Sequence, residues 1–366
     1  MKITHLITTI ERGGAENQLV ILVEQQVLMG HTVDIIFLKG DSELSELFES
    51  IGAKVVIDYA NKSPLFQLIG LRRAFRNYNS ILHCHLPRAE LMGALMSRNC
   101  QETHLVITRH NTEKFFPKAP KVISSLLGRY VTKKAKLGIA ISDAVATFNY
   151  ENSESHTNFQ FKKVYYGYPS KTLKPGESGS NLVKLPSDKF VYGTIARLVP
   201  QKNISLLLQA FAALDSKVRE ESVVCIIGSG MLEASLKNEA SELGIQMQVI
   251  WIPRTSDAKK YLHQMDVFVL PSNYEGFGLV LLEAMEAKLP IIGANNTAIS
   301  EVLACNSGQL FETNNVAELS QALSDMRQDK IRKSFVLAGQ KRLDSFLPDK
   351  MSQEIFEVYR EALGKR

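Results

Sequence analysis

The sequence predicts an α/β protein made of two doubly wound domains, each built on a parallel sheet. A chain of 366 residues is longer than one hydrophobic core of usual size requires, so two domains are expected. In both halves, short apolar runs alternate with amphipathic segments, a pattern typical of parallel strands joined by right-handed helical crossovers. A stretch rich in Gly, Pro and Ser at residues 167–180 interrupts this alternation and indicates a linker.

The first half predicts six buried strands separated by helices. The strands are expected at Lys2–Thr9, Thr32–Leu38, Lys54–Asp58, Ser80–His85, His104–Thr108 and Leu137–Ile141. The helices are expected at Ala15–Met29, Glu43–Ser50, Leu65–Tyr78, Ala89–Ser97 and Val122–Lys134. The strand runs are short and apolar, whereas the helical segments are amphipathic.

The second half repeats the alternation after the linker. Strands are expected at Phe190–Ala196, Val223–Gly228, Gln248–Ile252, Val267–Leu270 and Pro290–Gly293. Helices are expected at Ile204–Leu214, Leu232–Leu243, Ala258–Gln264, Val280–Ala287, Val316–Met326, Ile331–Phe346 and Met351–Leu363. The predicted organisation is an N-terminal domain at 1–168, a linker at 169–188, a C-terminal domain at 189–345 and a final helix at 346–366 that returns toward the first domain.

Composition excludes several classes of protein. The chain is 45% hydrophobic and 22% charged, as is usual for globular proteins, and it has no apolar run of membrane-spanning length. Its N-terminus lacks the long apolar region of a signal peptide, so a cytoplasmic location is expected. The four cysteines are far apart, which predicts buried or incidental thiols rather than disulfides or a cysteine metal site.

The two halves differ in charge. Residues 1–185 hold 23 Lys and Arg against 16 Asp and Glu, whereas residues 186–366 hold 20 against 22. A basic first half suggests an anionic partner, namely a phosphorylated acceptor or a membrane surface; uneven solvated charge is the alternative. Nucleic acid is not expected as a partner, because the chain has no concentrated basic patch interleaved with aromatic residues.

The segment EGFGLVLLE at residues 275–283 carries the strongest functional signal. It follows the predicted strand Val267–Leu270, and its two glycines allow a ligand to approach the backbone closely. The helix that follows directs its positive end at the same place, which favours a phosphate. Glu275 and Glu283 can accept charge-assisted hydrogen bonds from sugar and ribose hydroxyls, respectively.

Two further segments support this site. Arg197 and Lys202 follow the first strand of the second half, at the end of a parallel sheet where ligands bind, and both could address a diphosphate. Gly13 and Gly14 form a turn before the first predicted helix, which suits a phosphate. The pattern there is neither G-x-G-x-x-G nor a P-loop, so dinucleotide and Walker-type sites are not expected.

Together, the segment RGGAE at residues 12–16, the pair Arg197 and Lys202, and the E-x7-E element resemble the retaining family-4 glycosyltransferases. The resemblance extends in order from residue 13 to about residue 301. It implies the GT-B architecture, in which two Rossmann-like domains face each other across a cleft. It also implies a nucleotide-sugar donor (a UDP- or GDP-sugar), a glycan or lipid-linked acceptor, and neither a cofactor nor a divalent metal ion.

The resemblance implies roles for individual residues. Arg197 and Lys202 would hold the donor diphosphate and act in catalysis together with Glu275 and with His110, which matches the family histidine near the donor sugar. The remaining donor-binding residues would be Gly13, Gly14, Gly228, Gly276, Phe277, Gly278, Leu279 and Glu283. The acceptor would be contacted by Glu16, His85 and Arg109. A metal is not expected at His83 and His85, because the sequence offers no further ligand beside them.

The implied reaction retains the anomeric configuration of the sugar in a polysaccharide or glycolipid pathway. Two alternatives remain: a catalytically inactive partner subunit that binds nucleotide, and a GT-B sugar-nucleotide epimerase. The chain departs from the family at Tyr166–Pro169, Trp251–Pro253 and Ala294–Glu301, which leaves the donor base and sugar undetermined.

Basic and apolar residues at 64–76 and 114–136 are expected to allow peripheral contact of the first domain with an anionic membrane. An ordinary solvated helix face is the alternative.

Overall fold

Two parallel sheets organise the chain, in a computed structural model that describes residues 1–75, 80–97, 103–169 and 182–364. The chain divides into two units: Met1–Pro169 with Phe346–Arg366, and Ser170–Ser345. The strand pairs within each sheet are parallel. The predicted α/β class with two parallel-sheet domains is therefore confirmed.

The first unit contains a seven-stranded sheet in the order β3-β2-β1-β4-β5-β6-β7. Its strands are β1 Lys2–Ile7, β2 Thr32–Phe37, β3 Lys54–Val56, β4 Ser80–His85, β5 Thr103–Arg109, β6 Leu137–Ala140 and β7 Phe161–Lys163. Its helices are α1 Gly14–Leu28, α2 Ser45–Ser50, α3 Pro64–Ala74, α4 Pro87–Ser97, α5 Lys121–Lys134, α6 Asp143–Glu151 and, from the end of the chain, α15 Pro348–Ala362.

Helices cover both faces of this sheet and form two apolar cores. One core joins α1, α2 and α15 to the sheet, and the other joins α3, α4 and α5 to it. Strand β4 is buried at every position, as expected for a central strand covered on both sides. The final helix α15 packs on this first unit beside α1.

The second unit contains a six-stranded sheet in the order β10-β9-β8-β11-β12-β13. Its strands are β8 Phe190–Ile195, β9 Ser222–Ile227, β10 Val249–Ile252, β11 Val267–Leu270, β12 Ile291–Ala294 and β13 Gln309–Phe311. Its helices are α7 Ile204–Ala212, α8 Ser216–Glu220, α9 Glu233–Glu242, α10 Ala258–Tyr261, α11 Leu279–Glu286, α12 Thr297–Val302, α13 Val316–Asp325 and α14 Asp329–Leu343.

The predicted elements are confirmed to within a few residues, and five short ones were missed. These are α6, α8, α12, β7 and β13. Two of the helices have five or six residues and both strands have three, which is too short for hydrophobic periodicity to appear. Helix α6 was missed although Ser142 caps it, since the Ser142 hydroxyl accepts a hydrogen bond from the Val145 N–H.

Three predicted boundaries need separate comment. The helix predicted at Leu65–Tyr78 ends at Ala74, and residues 76–79 lie outside the described part. Most of the predicted linker, residues 170–181, also lies outside it. The last linker residues attach to the second unit: the Val183 N–H donates to the Tyr261 hydroxyl at 3.1 Å and the Leu185 N–H to Gln264 Oε1 at 2.9 Å.

The described residues include no helix with both the length and the hydropathy required to cross a bilayer.

Candidate functional site

Two loops meet at the carboxyl ends of the neighbouring strands β8 and β11. The Asn273 N–H donates to the Gln201 carbonyl at 2.8 Å, and the Gln201 side chain donates to the Tyr274 carbonyl at 3.0 Å. Asn273 also donates from its side chain to the Pro200 carbonyl at 3.2 Å. These bonds bring together the two segments that the sequence predicted to address one ligand. Adjacent parallel strands end at the same edge of the sheet, which is why the loops meet.

Lys202 and Glu275 form the centre of this arrangement. Lys202 Nζ lies 2.5 Å from Glu275 Oε1, and the two side chains are 15% and 8% exposed. The Ser272 hydroxyl donates to the same carboxylate oxygen at 2.7 Å, and the Glu275 N–H donates to Thr297 Oγ1 at 3.0 Å. The carboxylate is thus held in place by a cation, a hydroxyl and its own anchored backbone.

The glycines of the EGFG segment shape the start of α11. Gly278 precedes the helix with φ of 86°, a left-handed conformation that favours glycine, and Leu279 is the first helical residue. Gly276 is partly exposed in the loop. The prediction that the Phe277 side chain binds the donor needs correction, because this residue is 3% exposed and its side chain packs in the interior of the domain. Only its backbone remains suitable for contact with a donor.

A pocket of about 260 Å³ lies at the ends of β8 and β9. Arg197 is exposed at its rim, and Gly228 and Arg254 also line it. Gly228 has φ of 146°, and a Cβ atom there would overlap the Ala196 carbonyl oxygen. Its backbone conformation and its close approach to the β8 loop therefore require glycine. The structure places the predicted residues Arg197 and Gly228 together in one concave surface.

Glu283 lies inside α11 and has a cationic partner. Lys259 Nζ, from the short helix α10, is 2.9 Å from Glu283 Oε1. Burial raises the pKa of the Glu283 carboxyl, and the charge of Lys259 and its hydrogen bond act in the opposite direction. Lys259 belongs to no sequence motif and could not be predicted as a partner of Glu283.

In the first unit, the RGGAE segment forms the turn before α1. Gly13 precedes the helix in an extended conformation and Gly14 begins it. Glu16 turns back toward this loop, where it accepts a hydrogen bond from the Thr9 hydroxyl at 2.8 Å. A Cβ atom on Gly13 would collide with the Glu16 carboxylate, so the first glycine of the turn makes room for this side chain.

A chain of hydrogen-bonded histidines lies beneath the sheet face that α1 and α15 cover. His110 Nε2 is 3.2 Å from His85 Nδ1, and His85 Nε2 is 3.0 Å from His5 Nδ1. His5 Nε2 lies 2.8 Å from Gln26 Oε1, and His110 Nδ1 lies 2.6 Å from the Tyr166 hydroxyl. Since Gln26 Oε1 can only accept, each histidine donates from Nε2 and accepts at Nδ1, and Tyr166 donates to His110.

The chain continues beyond Gln26 to a fourth histidine. The Gln26 amide donates to the Tyr359 hydroxyl at 3.2 Å, which lies 2.7 Å from His83 Nδ1. His83 Nε2 lies 2.6 Å from Thr108 Oγ1. Burial lowers the pKa of His5 to about 4 and that of His110 to about 3, and it holds the pKa values of His83 and His85 well below the usual range. All four imidazoles are therefore neutral at physiological pH.

The sequence analysis found no further ligand beside His83 and His85, and this is wrong. His5 joins them, and one ligand atom from each residue lies within 4.8 Å of the others. However, both ring nitrogens of each of the three histidines already have hydrogen-bond partners in the chain described above. A metal ion bound there would have to displace several of these bonds.

Arg109 is not placed with His85 and His110, so its predicted acceptor contact needs correction. Its neighbour Thr108 faces the histidine chain, and alternation along β5 directs Arg109 to the other face. There its Nε lies 3.0 Å from Glu90 Oε2 and its Nη1 3.8 Å from Glu154 Oε2, with the side chain 6% exposed. The guanidinium also lies 4.2 Å from the Phe115 ring centroid. These contacts indicate a structural role.

Several residues of these arrangements were missed by the sequence analysis. They are His5, Gln26, Tyr166, Tyr359, Lys259, Ser272 and Thr297. His5 lies on a predicted strand, as His83 does, and Tyr166 and Thr297 lie in segments noted as departures from the family; β1 and β4 pair in parallel with His5 opposite His83. The remaining residues are polar and belong to no motif, and the packing of helices and loops on the sheets brings them to these positions.

Two sequence families match this chain. Residues 12–148 match the family described as "Glycosyltransferase Family 4" and residues 180–342 match "Glycosyl transferases group 1". The matches occur in the predicted order, one in each half of the chain.

Individual relatives match parts of the chain. The capsular polysaccharide biosynthesis glycosyltransferase CapM of Staphylococcus aureus is 30% identical over 191 residues, which cover 50% of each chain. The UDP-Gal:alpha-D-GlcNAc-diphosphoundecaprenol alpha-1,3-galactosyltransferase of Escherichia coli is 30% identical over 163 residues, covering 43% of this chain and 42% of its own. The matched region thus spans half or less of these curated relatives.

Among solved structures, the chain is similar to HepE of Anabaena in complex with UDP. The TM-score is 0.81 at 20% identity, with 99% of this chain and 100% of HepE covered. This likeness confirms the predicted GT-B fold class.

Proposed function

Since this chain belongs to the glycosyltransferases that combine a Family 4 domain with a group 1 domain, we propose that it transfers a sugar from a nucleotide-sugar donor with retention of configuration. The acceptor is a hydroxyl of a glycan or a lipid-linked glycan in polysaccharide or glycolipid synthesis. The ion pair between Lys202 and Glu275 is the observation that carries this proposal, because it places a cation beside a carboxylate at a glycine-lined helix start. One relative named for capsular polysaccharide biosynthesis and another named for transfer to a diphosphoundecaprenol-linked sugar support this acceptor class.

Each group of the second unit has a role in the proposed reaction. Arg197 and Lys202 bind the donor diphosphate and neutralise the charge that grows as it leaves. Glu275 binds hydroxyls of the transferred sugar, and Glu283 binds the ribose. Both cations belong to the protein, and the proposed reaction therefore requires no divalent metal ion.

The proposed chemical step occurs on one face of the sugar. The bond between the anomeric carbon and the diphosphate oxygen breaks, and the acceptor oxygen bonds to that carbon from the same side. The acceptor proton moves to the departing phosphate oxygen, so atoms and charge balance without a protein nucleophile. The protein then contributes charge stabilisation and alignment.

His110 takes no part in proton transfer under this proposal. Its Nδ1 accepts from Tyr166 and its Nε2 donates to His85, so both ring nitrogens are engaged. Burial also lowers its pKa to about 3, so the ring is a neutral imidazole near neutral pH and not an imidazolium that could serve as a general acid. Its contribution is to fix the backbone after β5, which the family resemblance assigns to the donor sugar.

Ligand-induced stabilisation followed by product analysis tests this function. A panel of UDP- and GDP-sugars should include one that raises the melting temperature by mass action. Incubation of that donor with lipid-linked or simple glycan acceptors should give a product whose anomeric configuration by NMR equals that of the donor. An inverted product would exclude the retaining mechanism, and binding without transfer to any acceptor would favour the inactive-subunit alternative. Lys202→Met serves as the negative control.

We further propose that α3 and α5 bring the first unit to an anionic membrane. Both helices pack beside α4, and both expose apolar side chains: Leu65, Phe66 and Ile69 on α3, and Val122, Ile123 and Leu126 on α5. The α5 segment contains no acidic residue but carries Lys121, Arg129, Lys133 and Lys134. Apolar groups beside uncompensated positive charge suit the surface of an anionic bilayer.

Vesicle flotation tests the membrane contact. The protein should float with phosphatidylcholine vesicles that contain about a third phosphatidylglycerol, and added salt should release it. Replacing both Val122 and Leu126 by Glu should abolish flotation. Leu337→Glu is the matched control, because Leu337 is a similarly exposed leucine, 72% exposed, on the second unit. Equal flotation of all variants, or none by the unaltered protein, would overturn the idea.

A further inference from the structure

The ion pair between Lys259 and Glu283 lies at the border of the pocket that contains Arg197. Lys259 is the second residue of α10, whose first residue, Ala258, lines this pocket together with Thr255 from the preceding loop. Its ammonium group lies 2.9 Å from Glu283 Oε1, while the two side chains are 47% and 20% exposed. The pair therefore joins the loop after β10 to the helix that follows the EGFG segment.

The carboxylate of Glu283 lies in surroundings that disfavour its charge. Burial and the nearby carboxylate of Glu286 both raise its pKa, and Lys259 opposes them. The helix packed beside α11 is α14, where Gln340 donates to the Met285 carbonyl and Arg342 to the carbonyls of Glu301 and Val302. Among the residues that the structure describes, the cation in contact with the Glu283 carboxylate is thus Lys259.

A carboxylate has two oxygens, each able to accept more than one hydrogen bond. The contact with Lys259 engages Oε1, so Oε2 can accept from a hydroxyl of a bound molecule. A cation held on one oxygen also fixes the orientation of the carboxylate plane and favours its ionised form, so that the other oxygen can accept charge-assisted bonds. These two effects are what a carboxylate needs to recognise vicinal hydroxyls.

We propose that Lys259 is a positioning residue that orients Glu283 toward the ribose hydroxyls of the donor nucleotide and thereby sets the preference for ribonucleotides over nucleotides that lack those hydroxyls. This inference rests on the proposed function. Lys259 acts through Glu283 and need not touch the nucleotide. Its removal leaves a carboxylate that is more often protonated and free to rotate.

Binding of nucleoside diphosphates distinguishes this role from a merely structural one. Calorimetry compares UDP or GDP, whichever the unaltered protein binds, with the corresponding 2′,3′-dideoxynucleoside diphosphate. The unaltered protein should prefer the ribonucleotide by about tenfold, since hydrogen bonds to a charged group are strong. Lys259→Met should reduce that preference to about twofold, as should Glu283→Gln, whereas Lys259→Arg should retain it.

The pH dependence supplies a second measurement. In the Lys259→Met variant, the preference should increase with pH, because burial raises the pKa of the Glu283 carboxyl and Lys259 no longer opposes that rise. In the unaltered protein, the preference for the ribonucleotide should stay nearly constant between pH 6 and 8. Lys237→Met is the matched control, since Lys237 forms a comparable 2.7 Å ion pair with Glu233 on α9. The Lys237→Met variant should prefer the ribonucleotide as strongly as the unaltered protein does.

The outcomes distinguish failure of the proposed glycosyltransferase function from failure of the role proposed for Lys259. If the unaltered protein binds neither UDP nor GDP, the proposed function itself fails. If it prefers the ribonucleotide and Lys259→Met shows the same preference and the same pH dependence, the proposed function stands and the role of Lys259 is overturned. Circular dichroism of each variant verifies that it is folded.

Discussion

The ammonium group of Lys202 lies 2.5 Å from the carboxylate of Glu275, although 73 positions separate the two residues in the chain. Lys202 ends the short turn after β8, and Glu275 follows β11, the strand next to β8 in the sheet. The pair therefore presents a cation and an anchored carboxylate in one place. A donor diphosphate would compete with Glu275 for Lys202, which would leave the carboxylate available to the sugar.

Replacing Lys202 by Met should lower kcat/KM for sugar transfer by about a hundredfold or more, since it removes positive charge from the leaving diphosphate. It also leaves the Glu275 carboxylate, in a residue only 6% exposed, without its cation. Steady-state kinetics with the donor found by the ligand screen measures the effect. Lys217→Met, at an exposed lysine of the same unit, should be as active as the unaltered protein. Comparable activity of both variants would contradict the assigned role of Lys202.

Replacing Gly228 by Ala should weaken nucleotide binding at least tenfold and destabilise the second unit by about 1–3 kcal/mol. The added Cβ would overlap the Ala196 carbonyl oxygen, and φ of 146° is unfavourable for any other residue. Gly244→Ala is the matched control, because Gly244 also has positive φ, 69°, but has open space around it. Calorimetry and thermal melting measure both effects. Identical behaviour of the two variants would show that the close approach to Ala196 is unimportant.

The histidine chain should make the first unit sensitive to acid. Burial lowers the pKa of His5 to about 4 from the usual 6.5, so the unfolded chain binds more protons between these values. The free energy of unfolding is therefore unaffected by His5 above pH 6.5 and decreases as pH falls toward 4. The decrease due to His5 alone amounts to about 3 kcal/mol.

Melting temperature measured from pH 7.5 to 4.5 tests this expectation. His5→Gln should flatten the decline, whatever its effect at neutral pH, because glutamine does not titrate. His263→Gln, at an exposed histidine of the second unit, should leave the decline unchanged. An unaltered slope in His5→Gln would mean that the buried chain does not control acid stability.

Replacing Arg109 by Met should destabilise the first unit by about 3–5 kcal/mol, since two buried carboxylates lose their cation. Burial already raises the pKa of Glu90 to about 7, so the variant should lose more stability at pH 8 than at pH 6. Denaturant unfolding at both values measures this. Adding Glu90→Gln and Glu154→Gln to the variant should restore much of the loss, whereas exposed Arg129→Met should cost little. A stable Arg109→Met would return this residue to the candidates for acceptor contact.

The structure agrees with the sequence analysis where the signal is local. Strands such as β4 and β11 appear as short apolar runs, and the glycines before α1 and α11 mark helix starts that a phosphate could approach. Three-residue strands such as β13 were missed because a run that short has no detectable period. The resemblance to a family then supplied roles for Arg197, Lys202 and the two glutamates.

Amino-acid order alone determined the class of fold and the motif residues, because hydrophobic periodicity and glycine turns are properties of neighbouring positions. Tertiary structure alone decided which distant side chains meet: Lys259 with Glu283, His5 with His85, and Arg109 with Glu90. These contacts depend on which strands pair and on which face each residue occupies, since side chains alternate along a strand. That alternation is why Thr108 joins the histidines while Arg109, the next residue, lies buried on the other side of the sheet.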